Sequence, residues 1–211
     1  MALFRELCVA HRIPQASYPT TTASTPNNNT MAYSLYDTTV PLLIRGLKNT
    51  HALLQKAETW CKENNKPESE ILHARLSPDM NDFVFQVRVA SITARNTALT
   101  ADWAWIPSAT QLADESSLAG LRACLQKDIA WLEGLTKADV DGQENRAFRF
   151  WTSGQEGVGF EFKFTDGVKY IQQIGMPNFY FHNSMAYGLC RMKGVPLGKF
   201  DFLAGGAELD Y

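Results

Sequence analysis

The residues best suited to chemistry lie in one short segment, 177–182, which reads Pro-Asn-Phe-Tyr-Phe-His. Asn178 and His182 are four positions apart, so on a helix their side chains point the same way. Histidine transfers protons near pH 7 because its neutral and charged forms are both accessible there. We therefore take His182 as the candidate catalytic acid/base and Asn178 as a candidate ligand-binding residue. The structural alternative makes His182 a hydrogen-bonded core residue and Asn178 a cap for the helix resumed after Pro177.

Gln86 is the third inward polar candidate. It lies beside the apolar residues Phe83, Val87 and Ala90, which share a helical face. A buried glutamine needs hydrogen-bond partners, since burying an unpaired amide is costly. Gln86 therefore either binds a ligand or ties two helices together, and it joins Asn178 as a candidate ligand-binding residue.

Histidine and cysteine spacing does not indicate a metal site. Such a site needs three or four ligands, and the remaining histidines are scattered: His11 near the N-terminus, His51 on an apolar helical stripe, and His73 in a predicted loop. The four cysteines are Cys8, Cys61, Cys124 and Cys190, and they form no Cys-x-x-Cys pair. We expect no bound metal, no cofactor, and four reduced thiols in a cytoplasmic protein.

Composition narrows the range of partners. The 211 residues are 45% hydrophobic and carry a formal charge of −2 without a cluster of Lys and Arg, so nucleic-acid binding is not expected. No apolar stretch approaches the roughly 20 residues that span a bilayer, so no membrane partner is expected. The partners that remain open are a small-molecule ligand and a second copy of the chain in a homodimer. The sequence also lacks phosphate-binding glycine loops and the Gly-x-Ser-x-Gly and His-Glu-x-x-His motifs.

The chain divides into a tail and one domain. Residues 14–30 carry no charge, have little to bury and are rich in Pro, Thr and Asn. We expect residues 1–32 to be a disordered N-terminal tail, 33–204 to be the domain, and 205–211 to be a C-terminal tail. A transit peptide, or an over-long start whose natural beginning is Met31, are the alternatives for the first segment.

Apolar residues at a 3–4 spacing predict four long helices, at about 37–64, 78–101, 114–135 and 166–193. Asp37 is expected to cap the first helix, with Pro41 in its first turn. Pro177 is expected to kink or break the fourth helix, and Gly194 to end it.

Between the third and fourth helices the period changes to two. Phe148 and Phe150, and then Phe160, Phe162 and Phe164, alternate with charged residues. This pattern predicts a short β-hairpin at 147–164. Two strands alone are marginal, so the aromatic face is expected to pack on the helices.

Four short sequence segments, in this order along the chain, resemble those of a known family: Leu35–Pro41, Ala74–Met80, 177–182, and Gly194–Lys199 followed by Asp-Phe-Leu at 201–203. Together they resemble an uncharacterised domain-of-unknown-function family of bacteria and fungi, assigned to the DinB/YfiT-like superfamily. The resemblance covers about residues 33–204. It implies a mainly α fold, a DinB-like four-helix bundle with a short β-hairpin before the last helix.

The resemblance also implies where a site would lie. Many members of that superfamily hold a divalent metal with three histidines, one from the second helix and two from a His-x-x-x-His-x-Gly-Gln pattern in the last. Here Asn178 stands at the first of those last two histidines, and Ser184-Met185 replace Gly-Gln. The second-helix position corresponds to Gln86. One histidine with two amides is expected to bind a metal weakly, because amides are weak neutral ligands.

Three functions stay open at this point. The first is a small-molecule pocket protein that could act as an enzyme, with His182 as acid/base. The second is a non-catalytic binding or interaction protein whose polar residues are structural. The third is a metal-dependent transferase or hydrolase, as some members of that superfamily are. The sequence leaves open whether the chain is an enzyme.

Overall fold

The computed structural model describes residues 33–205. The expectations for the tail at 1–32 and for residues beyond 205 lie outside the described residues. The described chain is a mainly helical bundle with one β-hairpin, as predicted. Its helices in chain order are α1 (Leu35–Glu63), α2 (Ser69–Leu72), α3 (Phe83–Thr97), α4 (Leu118–Glu133), α5 (Lys137–Val140), α6 (Gly167–Tyr170), α7 (Met176–Met192) and α8 (Lys199–Ala204). None of the described helices is long and apolar enough to cross a membrane.

The first helix begins two residues earlier than predicted, because its cap is Ser34 rather than Asp37. The Ser34 side chain accepts a hydrogen bond from the Asp37 N–H, and the Asp37 carboxylate accepts one from the Ser34 N–H. This reciprocal pair is a capping box. With that start, Pro41 lies inside the helix and not in its first turn, on an exposed face.

The second and third predicted helices are shorter than expected at both ends, and each starts later because of its capping residue. Asp82 caps α3 by accepting from the Phe85 N–H, so the predicted start at 78 was wrong and that stretch is a turn. Ser117 caps α4 by accepting from the Gly120 N–H, which corrects the predicted start at 114. Short polar side chains at these positions satisfy the first N–H groups of each helix.

The fourth predicted helix is broken, as expected from Pro177. It starts at α6 behind an Asp166 cap, passes through a π-helical turn at Ile171–Gly175, and resumes as α7 with Pro177 in its first turn. Proline lacks an N–H and its ring crowds the carbonyl one turn back, so a wider turn accommodates it. Gly194, at φ +97°, follows the end of α7.

The hairpin is also confirmed. Strands β1 (Phe148–Trp151) and β2 (Glu161–Phe164) are antiparallel, with Phe150 opposite Phe162. Phe148 and Phe150 are buried, and the Phe150 ring meets the Tyr170 ring edge-on at 6.0 Å between centroids. The aromatic face therefore packs on the helices, as two isolated strands require.

The bundle core is built around α1. Helix α1 packs against α4, α7 and α3, while α3 packs against α7 and α4. The fully buried apolar side chains of α1 repeat at helical spacing and are Val40, Leu43, Leu47, Leu54 and Ala57. Gly46 brings α1 and α7 close, since a Cβ there would lie 2.5 Å from Cε1 of the buried Phe179. The polar candidates lie on two of these packed helices: Gln86 on α3, and Asn178 and His182 on α7.

Candidate functional site

His182 lies on the face of α7 that packs against α3. Its side chain is buried, with 8% of the residue exposed. The imidazole meets two aromatic rings edge-on, Phe85 with centroids 6.0 Å apart and Phe181 with centroids 5.1 Å apart. Edge-to-face contacts of this kind hold a ring in one orientation.

The Gln86 side chain decides which ring nitrogen of His182 carries the proton. The Gln86 Nε2 donates to the main-chain carbonyl oxygen of Asn81 at 3.1 Å, so its Oε1 faces His182, 2.7 Å from Nδ1. Turning the amide over would bring two carbonyl oxygens together at Asn81. Because Oε1 can only accept, Nδ1 carries the proton and Nε2 keeps its lone pair in the neutral ring.

Burial keeps that ring uncharged. Loss of solvation lowers the pKa of His182 to about 4, so the imidazole is neutral at pH 7. Within residues 33–205 the Nε2 atom makes no hydrogen bond. In this part of the chain, the Gln86–His182 pair thus presents one basic nitrogen without a partner where α3 and α7 meet.

Asn178 does not join this pair. Its Nδ2 donates to the Thr93 hydroxyl at 2.9 Å, and its side chain is half-buried. Thr93 lies seven residues beyond Gln86 on α3, about 10 Å along the helix axis. The structure therefore brings together two of the three predicted residues, and the predicted convergence of all three was wrong. Asn178 also does not cap the resumed helix, which begins at Met176.

The donor set does not fit the three-ligand metal centre that the family resemblance implies. The Gln86 oxygen is engaged by His182 itself, and Asn178 is bonded elsewhere. Among the described residues, no three His, Cys, Asp or Glu side chains are grouped as metal ligands. His73 is exposed, 3.9 Å from Asp82, and His51 is half-buried with its pKa lowered first by burial and then by Arg122.

The described cysteines are buried free thiols, namely Cys61, Cys124 and Cys190. Burial raises the pKa of Cys61 and of Cys190, which keeps both thiols protonated. Since the thiolate is the reactive form, neither is an activated nucleophile.

Two further buried polar pairs were not predicted from the sequence. Asn183 accepts a hydrogen bond from the Thr50 hydroxyl and donates to the Phe179 carbonyl at 2.9 Å. Asp128 accepts from the Ser91 hydroxyl, and burial raises the pKa of its carboxyl. The available signal was spacing: Asn183 lies four residues after Phe179 and three before Ala186, both of which are fully buried.

Fold and site together define a class, a helical-bundle protein in which a buried histidine is hydrogen-bonded through Nδ1 to a glutamine on the neighbouring core helix. The chain belongs to the family described as a domain of unknown function, DUF1993, whose model matches residues 35–203. It is similar to the crystal structure of a DinB family member from Shewanella denitrificans, at 29% sequence identity and a TM-score of 0.67. That match covers 84% of this chain and 94% of the other. No match was found among curated proteins.

Proposed function

We propose that this chain is a small-molecule-binding protein in which His182 accepts a hydrogen bond, and then a proton, from its ligand through Nε2. One observation carries the proposal: Gln86 holds Nδ1 at 2.7 Å while Nε2 has no partner within residues 33–205. A group that orients the far nitrogen of an imidazole is the usual support for an acid/base histidine.

The low pKa of His182 makes its imidazole a weak base. An amide beside Nδ1 orients the ring but, unlike a carboxylate, does not stabilise the imidazolium. With a pKa of about 4, the ring is a hydrogen-bond acceptor first and holds a proton only briefly. Proton transfer is therefore confined to ligands whose own O–H or S–H is acidic, and the proton returns to the ligand within the same event.

A second candidate is a non-catalytic binding or interaction protein whose polar residues are structural. The observation that favours it is that each amide nitrogen already donates one hydrogen bond within the protein: Gln86 donates to the Asn81 carbonyl and Asn178 to the Thr93 hydroxyl. A metal-dependent transferase or hydrolase has no such support, because the donor set above does not fit a metal.

Nuclear magnetic resonance of ¹⁵N-histidine-labelled protein tests the proposal, with phenol as a small neutral hydrogen-bond donor. We expect an Nδ1-protonated His182 whose Nε2 resonance shifts saturably with phenol, while His51 and His73 show no saturable shift. Gln86→Met removes the acceptor at similar volume and should mix the two tautomers of His182. The non-catalytic alternative gains if Nε2 carries the proton, or if phenol leaves its resonance unchanged.

A further inference from the structure

The short C-terminal helix α8 closes a cavity against α1 and α7. Its position is held by Asn49, whose Nδ2 donates to the Phe202 carbonyl at 2.7 Å, and by an ion pair between Lys56 and Asp201. The cavity measures about 230 Å³. An apolar cavity of about 150 Å³ already accepts benzene, so this one has room for a somewhat larger organic molecule.

The interior of this cavity is mostly apolar. Leu42, Leu53, Phe202 and Leu203 contribute its hydrocarbon walls. Its polar floor is Asn183, whose oxygen accepts from Thr50 and whose nitrogen donates to the Phe179 carbonyl. Since those polar atoms are already paired within the protein, the cavity favours an apolar group over a polar one.

Among the described residues that line this cavity, Arg45 is the one cation. Arg45 is exposed, and its Nε donates to the Leu203 carbonyl at 3.0 Å, which fixes the guanidinium against α8. Within residues 33–205 its two Nη nitrogens have no hydrogen bond and no carboxylate within 4.0 Å. The Asp201 carboxylate, which also lines the cavity, is instead engaged by Lys56 and by the Gly198 N–H at 2.7 Å.

Tyr180 also lines the cavity, and its hydroxyl is a further hydrogen-bond donor. Burial raises the pKa of Tyr180, with Arg45 acting in the other direction, so the phenol stays protonated. The cavity lining therefore holds one hydroxyl and two guanidinium nitrogens that have no hydrogen bond within residues 33–205, beside an apolar interior. This is the chemistry that recognises a carboxylate on a hydrocarbon body.

We infer that this cavity binds a small amphiphilic carboxylate, its hydrocarbon chain inside and its carboxylate on Arg45. The site goes beyond the role proposed for His182 and is independent of it. Adjacent helical residues point about 100° apart, and here His182 faces α3 whereas Asn183 faces α1.

Octanoate and 1-octanol are the matched probes, since they share a chain and differ in charge. Each is titrated into the full chain labelled with ¹³C at leucine methyls, and the Leu53 and Leu203 signals are followed. We expect saturable shifts at both residues with octanoate, and about tenfold weaker binding of octanol, because a charge-assisted hydrogen bond is lost.

Three variants locate the binding. Arg45→Gln should weaken octanoate by about tenfold and leave octanol unchanged. Arg191→Gln is the control, because that guanidinium also donates to a main-chain carbonyl, of Val195 at 3.1 Å, but lies outside the cavity. Leu42→Trp, at the exposed rim, should weaken both probes without disturbing the core. Unshifted cavity methyls, equal affinity for the two probes, or an equal loss in Arg191→Gln would each overturn the inference.

Discussion

At the scale of single residues, the Gln86–His182 pair links stability to pH. The pKa of His182 is about 4 in the folded chain, against about 6.5 for an unperturbed histidine. The unfolded chain therefore takes up the proton first as pH falls. The stability from a neutral His182 is complete above about pH 6.5 and is lost toward pH 4, by up to about 3 kcal/mol.

His182→Asn should make that loss smaller. Asparagine keeps an N–H donor near the position of Nδ1 but does not titrate, so the free energy of unfolding should fall less between pH 6.5 and 4.5. Urea denaturation at several pH values measures this. His51→Asn is the control, because burial also lowers the pKa of His51. Identical pH profiles for the wild type and His182→Asn would mean that His182 is solvated in the native state.

At the scale of helices, two glycines inside helices should respond oppositely to alanine. A Cβ at Gly46 would lie 2.5 Å from Phe179, whereas a Cβ at Gly188 meets nothing within 4 Å. Gly46→Ala should destabilise the bundle by about 1–3 kcal/mol through overpacking. Gly188→Ala should stabilise it by about 0.5–1 kcal/mol, because alanine loses less entropy in a helix.

Chemical denaturation of the two variants separates packing from helix propensity. Gly188→Ala reports propensity alone, on the same α7 that Gly46 contacts. If both substitutions stabilise the protein, then the Phe179 side chain moves aside at little energetic cost. The close packing of α1 on α7 then does not require a glycine at position 46.

At the scale of the whole molecule, the first 30 residues should be dispensable for stability. Residues 14–30 carry no charge and offer little apolar surface to bury. A chain starting at Met31 keeps Ser34 and its capping box. We expect its Tm, measured by calorimetry, to match that of the full chain. A drop of many degrees would show that the segment packs, and mitochondrial import of the tagged full chain alone would support the transit-peptide alternative.

The whole protein should also bind transition metals poorly. The three positions that correspond to the metal ligands of the superfamily hold one imidazole and two amides, and both amide side chains are already hydrogen-bonded. We expect dialysed protein to carry well under one equivalent of zinc, nickel or iron by elemental analysis. One equivalent that survives dialysis and disappears in His182→Ala would restore the metal-dependent function.

Local sequence determined most of the architecture. Helical spacing located the long helices but not the short α2, α5 and α8; alternation located the hairpin, and Pro177 located the break before α7. Each of these patterns depends on residues within a few positions of one another. The helix starts were misplaced where two polar residues competed for the cap, as with Ser34 and Asp37. Capping depends on backbone geometry at one residue, which spacing alone does not specify.

Only the tertiary structure decided which polar side chains meet. The shared face of Asn178 and His182 follows from their spacing, but their partners on α3 are two different residues, Thr93 and Gln86. That pairing is set by how far α3 and α7 are shifted and rotated against each other. The α1–α7–α8 cavity likewise joins Arg45 to Leu203, 158 residues apart in the chain. Periodicity carries no information about either, because relative placement of helices is fixed by packing of complete surfaces.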